Sequence, residues 1–125
     1  MTAILPAGVE TELRSTDALS PELKRLMRRA RDASDFLKAM SHESRLLLLC
    51  LLAERERSVT ELEDILSLRQ ANVSQQLARL RLDGLVDTRR DGKAVYYHLA
   101  SEDVRRMIAV IYDIFCAREG PRRGR

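Results

Sequence analysis

Long apolar runs are missing from this chain. The longest, Leu46 to Ala53, is far shorter than the roughly 20 residues a membrane-spanning helix needs, so a membrane protein is not expected. No segment near the start joins a basic region to a long apolar one, so no secretory leader is expected and the chain is read as cytoplasmic. Histidine and cysteine are scarce, with two of each. His42, His98, Cys50 and Cys116 are dispersed and do not make a recognisable tetrahedral zinc set. In a cytoplasmic chain the two cysteines are read as free thiols, sensors or ligands rather than as a structural disulfide. There is no glycine-rich phosphate loop, no Ser/His/Asp set and no paired-carboxylate motif, so neither an enzyme nor a cofactor is expected.

What is present is enough for one ordinary domain. The chain has 125 residues, 45% of them apolar, a formal charge of +3 and a pI near 9.2. The basic excess is mild, and its placement says more than its size. The stretch Ser58 to Leu82 fits two short helices separated by a tight connection at Ser67-Leu68. Ser58 with Glu61 three residues later predicts a capping box. Leu62, Ile65 and Leu66 form the first apolar stripe, and Val73, Leu77 and Leu80 form the second. The second helix leaves Gln70, Asn72, Ser74, Gln75, Gln76, Arg79 and Arg81 on its polar side. Amides pair bidentately with adenine edges in the major groove, and arginine pairs with guanine or phosphate. That is the pattern of a helix-turn-helix whose second helix reads double-stranded DNA. A helical hairpin with a solvated face reads the same way from these residues alone.

The next stretch separates the two readings. In Leu85 to Leu99, Val86 and Thr88, then Val95, Tyr97 and Leu99, alternate at strand period. Asp91-Gly92 between them is a strong hairpin signal, because glycine accepts positive φ freely. Arg89, Arg90 and Lys93 crowd the tip, which makes a wing able to meet phosphates. The expected fold is mainly α with a β-hairpin wing, a winged helix-turn-helix.

Around this centre, residues 1–19 lack sustained periodicity and are expected to form a flexible arm. Ser20-Pro21-Glu22 opens a helix to about Met40, with Leu23, Leu26, Met27, Ala30, Ala33, Leu37 and Met40 as its stripe. Its basic run, Lys24, Arg25, Arg28, Arg29 and Arg31, reads as a solvated face. A leucine-rich helix opened by Ser41-His42-Glu43-Ser44-Arg45 should be buried all round, with Cys50 in its middle. Ser101 caps a last helix bearing Val104, Met107, Ile108, Ile111, Ile114 and Phe115, with Cys116 near its end. The domain is expected over 20–119 and a basic tail over 120–125. The first and last helices carry more apolar surface than this core needs, which predicts a two-fold dimer through them. Such a dimer would read half-sites roughly 34–36 Å apart.

These features resemble the ArsR family of bacterial winged-helix repressors over roughly residues 33–115. The resemblance rests on Met40-Ser41-His42-Glu43-Ser44-Arg45, on Asn72-Val73-Ser74-Gln75-Gln76-Leu77, on Leu80 to Val86, and on the wing from Arg90 to Leu99. Three positions depart from the common pattern: Glu43 or Ser44 where proline is frequent, Arg69 where Ser or Thr often caps, and Gln76 where histidine is frequent. The thiolate metal site found in many relatives falls here on Ser58 and Thr60, poor ligands for a soft metal. No metal site is therefore assigned, and a metal-responsive repressor stays as an alternative. The placement of Cys50 and Cys116 is similar to the BigR/SqrR group within the family. That resemblance implies a repressor released from operator DNA by persulfide or polysulfide, acting on sulfide-oxidation genes. A peroxide sensor forming a plain Cys50–Cys116 disulfide fits the same positions.

Overall fold

The computed structural model describes residues 4–67 and 72–117. The chain divides into two compact units, Met1–Asp35 and Phe36–Arg125.

In the first unit, the expected flexible arm contains a helix, α1 (Val9–Arg14). Gly8 precedes it at φ 87°, a left-handed entry that glycine adopts without steric cost. Glu10 and Arg14 form an ion pair across one turn at 3.0 Å. The Glu12 carboxylate accepts the backbone N–H of Ser20 at 2.6 Å, and hydrogen bonding from the Ser20 side chain, then from its backbone, holds its pKa below the ordinary carboxylate range. The segment before α2 is thus tied down by a local side-chain bond that apolar periodicity cannot reveal. α2 (Pro21–Met40) starts where its sequence signals put it, with the Ser20 hydroxyl accepting the Leu23 N–H at 3.1 Å.

The second unit packs the remaining elements on one core. α3 (Glu43–Glu54) is capped by His42, whose ring accepts the Ser44 N–H. β1 (Arg57–Ser58) is a short strand the sequence pattern did not announce. α4 (Val59–Leu66) and α5 (Val73–Leu82) form the helix pair, and β2 (Val86–Asp91) and β3 (Ala94–Leu99) form the hairpin. α6 (Glu102–Tyr112) follows, capped by the Ser101 hydroxyl, and passes into a single π-helical turn over Asp113–Ala117. The sheet order is β1-β3-β2, all antiparallel, with Val86 opposite Leu99 and Asp91 opposite Ala94. Leu48, Leu49, Leu52, Leu62, Leu77, Leu80, Leu85 and Ile108 are fully buried and fix α3, the helix pair and α6 to one another.

Three expectations are corrected. The hairpin loop is Gly92-Lys93, one residue later than the Asp91-Gly92 reading. Only Gly92, at φ 62°, has positive φ, as a type II′ turn requires. The Ser58 hydroxyl accepts the Glu61 N–H at 3.0 Å, but the Glu61 carboxylate does not return the bond. It binds Arg55 and Arg57 instead, so the capping box is half formed. Finally, α3 is not buried all round: Leu47 is 41% exposed, and Cys50 and Leu51 are half-buried. The core of this unit covers one side of the helix only.

Candidate DNA-reading face and thiol pair

α5 presents the polar face its sequence implies. Val73, Leu77 and Leu80 are buried at helical spacing, which turns Asn72, Ser74 and Gln75 outward and leaves Gln76 half-buried. Gln70 lies outside the described residues. Asn72 stands at the N-cap in the left-handed region, φ 61°, and its side chain makes no cap bond. Asparagine tolerates that conformation better than most residues, and it leaves the amide available at the helix entrance. The Ser74 hydroxyl donates to Glu63 of α4 at 3.3 Å, so an acid lies beside the reading helix.

The cations of this face fall into two groups. Arg79 is held by Asp83 at 3.2 Å. Arg89 is held by Glu56 at 2.7 Å, and its guanidinium lies over the Tyr96 ring, 4.6 Å from the centroid. This bond keeps the Glu56 carboxyl below its ordinary pKa range. Arg81, Arg90 and Lys93 are exposed, with no side-chain partner among the described residues. Arg79 and Arg89, both expected on phosphate, therefore have to exchange a carboxylate for a phosphate. Glu56 and Glu63 were not legible as parts of this face, because each reaches it through the tertiary fold.

Cys50 is half-buried on α3, and Cys116 is exposed in the π-helical turn after α6. A cleft of about 440 Å³ opens beside Cys50, walled by Leu47, Leu51, Ala53, Ile108 and Tyr112. Burial pushes the Cys50 thiol above its ordinary pKa, and the charges of Cys116 and Glu54 push it further. Cys116 acts electrostatically on Cys50 although the two are far apart in sequence.

A polar junction missed in the sequence lies just past Cys50. Arg57 is 8% exposed, and its Nε donates to the Leu51 carbonyl at 3.0 Å. Its other nitrogens reach Glu54 at 2.6 Å and Glu61 at 2.8 Å. Arg105 of α6 donates to the Ala53 carbonyl. Two arginines therefore satisfy two of the orphan carbonyls at the end of α3, those of Leu51 and Ala53. The only sequence signal was the Glu54/Arg57/Glu61 spacing, and it carries no weight without knowing that a strand, not a helix, holds Arg57.

The profile described as "Bacterial regulatory protein, arsR family" matches residues 42–88. A biofilm growth-associated repressor of Agrobacterium fabrum is 46% identical over 97 residues, 78% of this chain and 83% of that protein. HlyU of Vibrio cholerae, named a transcriptional activator, is 43% identical over 75% of this chain and 87% of its own. Its reduced structure has a TM-score of 0.68 at 42% identity, covering 75% of this chain and 99% of that one. A homodimeric winged helix-turn-helix domain from Mycobacterium bovis has a TM-score of 0.66 at 27% identity, covering 87% and 100%. With this fold, this reading helix and these relatives, the chain belongs to the ArsR family of bacterial regulatory proteins: it is a winged helix-turn-helix transcriptional regulator and not an enzyme.

Proposed function

We propose that this protein is a dithiol-based repressor that binds operator DNA when reduced and is released when persulfide or polysulfide chemistry bridges Cys50 and Cys116. The observation that supports the reading is that the exposed Cys116, in the turn after α6, is among the charges that raise the pKa of the half-buried Cys50 on α3. The Agrobacterium relative is named a repressor, and the HlyU relative is described in a reduced state. Cys116, the exposed thiol, is the first to react. Its thiolate takes the outer sulfur of a hydropersulfide RSSH and releases RSH, giving Cys116–SSH. The Cys50 thiolate then attacks the Cys116 Sγ, expels hydrogen sulfide and closes a disulfide. A second RSSH adds one more sulfur before closure and gives a trisulfide, with two RSH and one hydrogen sulfide released in all. A plain disulfide needs Cα atoms about 4.4–6.8 Å apart, so bridge length would select for extra sulfurs where the helices stand further apart.

The protein acts as a two-fold dimer. α2 leaves Met27 and Leu37 in water, and the α6 region leaves Val110, Tyr112 and Phe115, the last 61% exposed. Exposed apolar side chains grouped on helices are the usual mark of an interface. The Mycobacterium relative is described as a homodimer. A bridge at Cys116 therefore acts on an element that the dimer uses, and DNA is released only if the bridged state fits the operator worse. The site of action is the cytoplasm, where operator DNA lies, and the regulated genes are those of sulfide detoxification.

Exposure of the reduced protein to a hydropersulfide and to hydrogen peroxide, followed by intact-mass measurement and a gel shift on its upstream DNA, tests this reading. Loss of the shift with hydropersulfide is the expected result, together with added sulfur where the bridge is a trisulfide or loss of two hydrogens where it is the plain disulfide. Loss of two hydrogens only with peroxide, and no response to persulfide, would replace it with the peroxide-sensing disulfide. Release by a metal ion alone would replace it with the metal-responsive repressor.

A further inference from the structure

The arginines of α2 differ from those of the second unit. In that unit Arg55, Arg57, Arg79, Arg89, Arg105 and Arg106 are all held by carboxylates. Among the described residues of that unit, the exposed arginines without a side-chain partner are Arg81 and Arg90, on α5 and the hairpin. On α2, Arg25, Arg28, Arg29 and Arg31 are all exposed, and no side chain of the four has a hydrogen bond or ion pair among the described residues. Together with Asp32 they wall a cleft of about 340 Å³. Arg25, Arg28 and Arg29 share one helix face, since residues three and four apart are neighbours. At that spacing like charges repel. Asp32 stands one turn beyond Arg28 without forming an ion pair with it. Four guanidiniums and one carboxylate held in this way form a strong, uncompensated positive site.

We propose that this arginine face of α2 binds DNA phosphates, as a contact separate from those of the reading helix and wing. Charge complementarity selects the occupant: the protein is a DNA-binding regulator, and elsewhere among its described residues the exposed, unpaired arginines, Arg81 and Arg90, lie on the candidate reading helix and wing. The face has arginine forks suited to phosphate oxygens. Lys24 to Asp35 contains no Asn or Gln, so it lacks the amides that read adenine. Its contribution is to affinity and to salt dependence, not to sequence choice. The contact does not depend on the thiol chemistry.

The test uses the full reduced chain and two duplexes carrying its footprinted upstream site. One is trimmed to the footprint of the reading helix and wing, and one is extended by about one helical turn, roughly 10 base pairs, on each side. Binding is followed by anisotropy as salt is varied. The variant R25Q/R28Q/R29Q keeps its helical circular dichroism, because glutamine is a good helix former and the repulsion is gone. On the extended duplex its slope of log K against log salt falls by about 2.7 per protomer, 0.9 for each phosphate lost. R25K/R28K/R29K restores the slope, and Arg28→Gln alone lowers it by about 0.9. Relative affinities among operator variants stay the same. An unchanged slope on both duplexes overturns the proposal. So does an unchanged slope combined with loss of binding to poly-glutamate, which would assign the face to an acidic protein.

Discussion

The Arg57 guanidinium holds the carbonyl oxygen of Leu51 at 3.0 Å, one residue past Cys50. The same side chain binds Glu54 and Glu61, and the Arg57 backbone pairs with Tyr97 of the wing. One buried residue therefore joins the thiol-bearing helix, the first helix of the reading pair and the wing sheet. Removing it leaves the Leu51 carbonyl without its donor and the partly covered Glu61 with Arg55 alone. Arg57→Met should destabilise the protein by about 1–3 kcal/mol, the cost of stranding such groups. Glu54→Gln should cost far less, since Glu54 is largely exposed and its ion pair is screened. Urea titration of the reduced variants measures both, and equal losses would show that the junction is not held by Arg57.

Arg89 and Arg90 are neighbours on the wing with different availability. Arg90 has no partner among the described residues, so Arg90→Ala should lower the salt slope by about 0.9 per protomer and weaken all sequences alike. Arg89 is already neutralised by Glu56, so Arg89→Ala should change the slope less. Glu56→Gln should raise DNA affinity by freeing Arg89. Anisotropy across a salt series checks all three, and a weaker complex with Glu56→Gln would remove Arg89 from the phosphate contacts.

Gly92 is the hinge of that wing, with φ 62° at the first loop position. Nothing lies within 4 Å of a Cβ built there, so any penalty is conformational and not steric crowding. Gly92→Val should cost about 1–2 kcal/mol, the penalty for a left-handed residue with a Cβ. Thermal unfolding measures it, and salt-dependent DNA binding then reports whether Arg90 has moved.

The fold was legible where local chemistry and tertiary packing agree. Ser20, Ser58 and Ser101 cap the helices they precede, and Val73, Leu77 and Leu80 turn inward as their spacing requires. Val86, Tyr97 and Leu99 are buried on one face of the hairpin as alternation predicts. What stayed hidden depends on contacts between distant segments. β1 spans two residues and exists only because β3 pairs with it. Glu61 looked like the second half of a capping box until Arg55 and Arg57 competed for its carboxylate. Glu56 gave no sign that it would neutralise Arg89, 33 residues away. The candidate DNA face rests on residue type and spacing, whereas the pairing state of its described cations needs the fold.

Cys50 supplies a prediction whose sign is fixed by its surroundings. Burial, then the charges of Cys116 and Glu54, push its thiol pKa upward. The folded protein therefore keeps the Cys50 proton at pH values where the unfolded chain has lost it. The stability linked to this difference is fully present below the unfolded thiol value, about 8.5, and is lost as pH rises through the higher folded value. Cys50→Ser removes the titrating group, so its stability should fall less steeply with pH on the alkaline side than that of the parent protein. The same shift orders the chemistry. Thiolate is the reacting form, so at neutral pH the exposed Cys116 should be alkylated before Cys50. Closure of the bridge, which needs the Cys50 thiolate, should accelerate as pH rises toward the shifted value. Time-resolved alkylation with peptide mass mapping, run across pH in the presence and absence of persulfide, separates the two steps. If Cys50 is modified first at neutral pH, Cys116 is not the entry point. If Cys116→Ser still leaves DNA on persulfide treatment, the two thiols do not work as a pair.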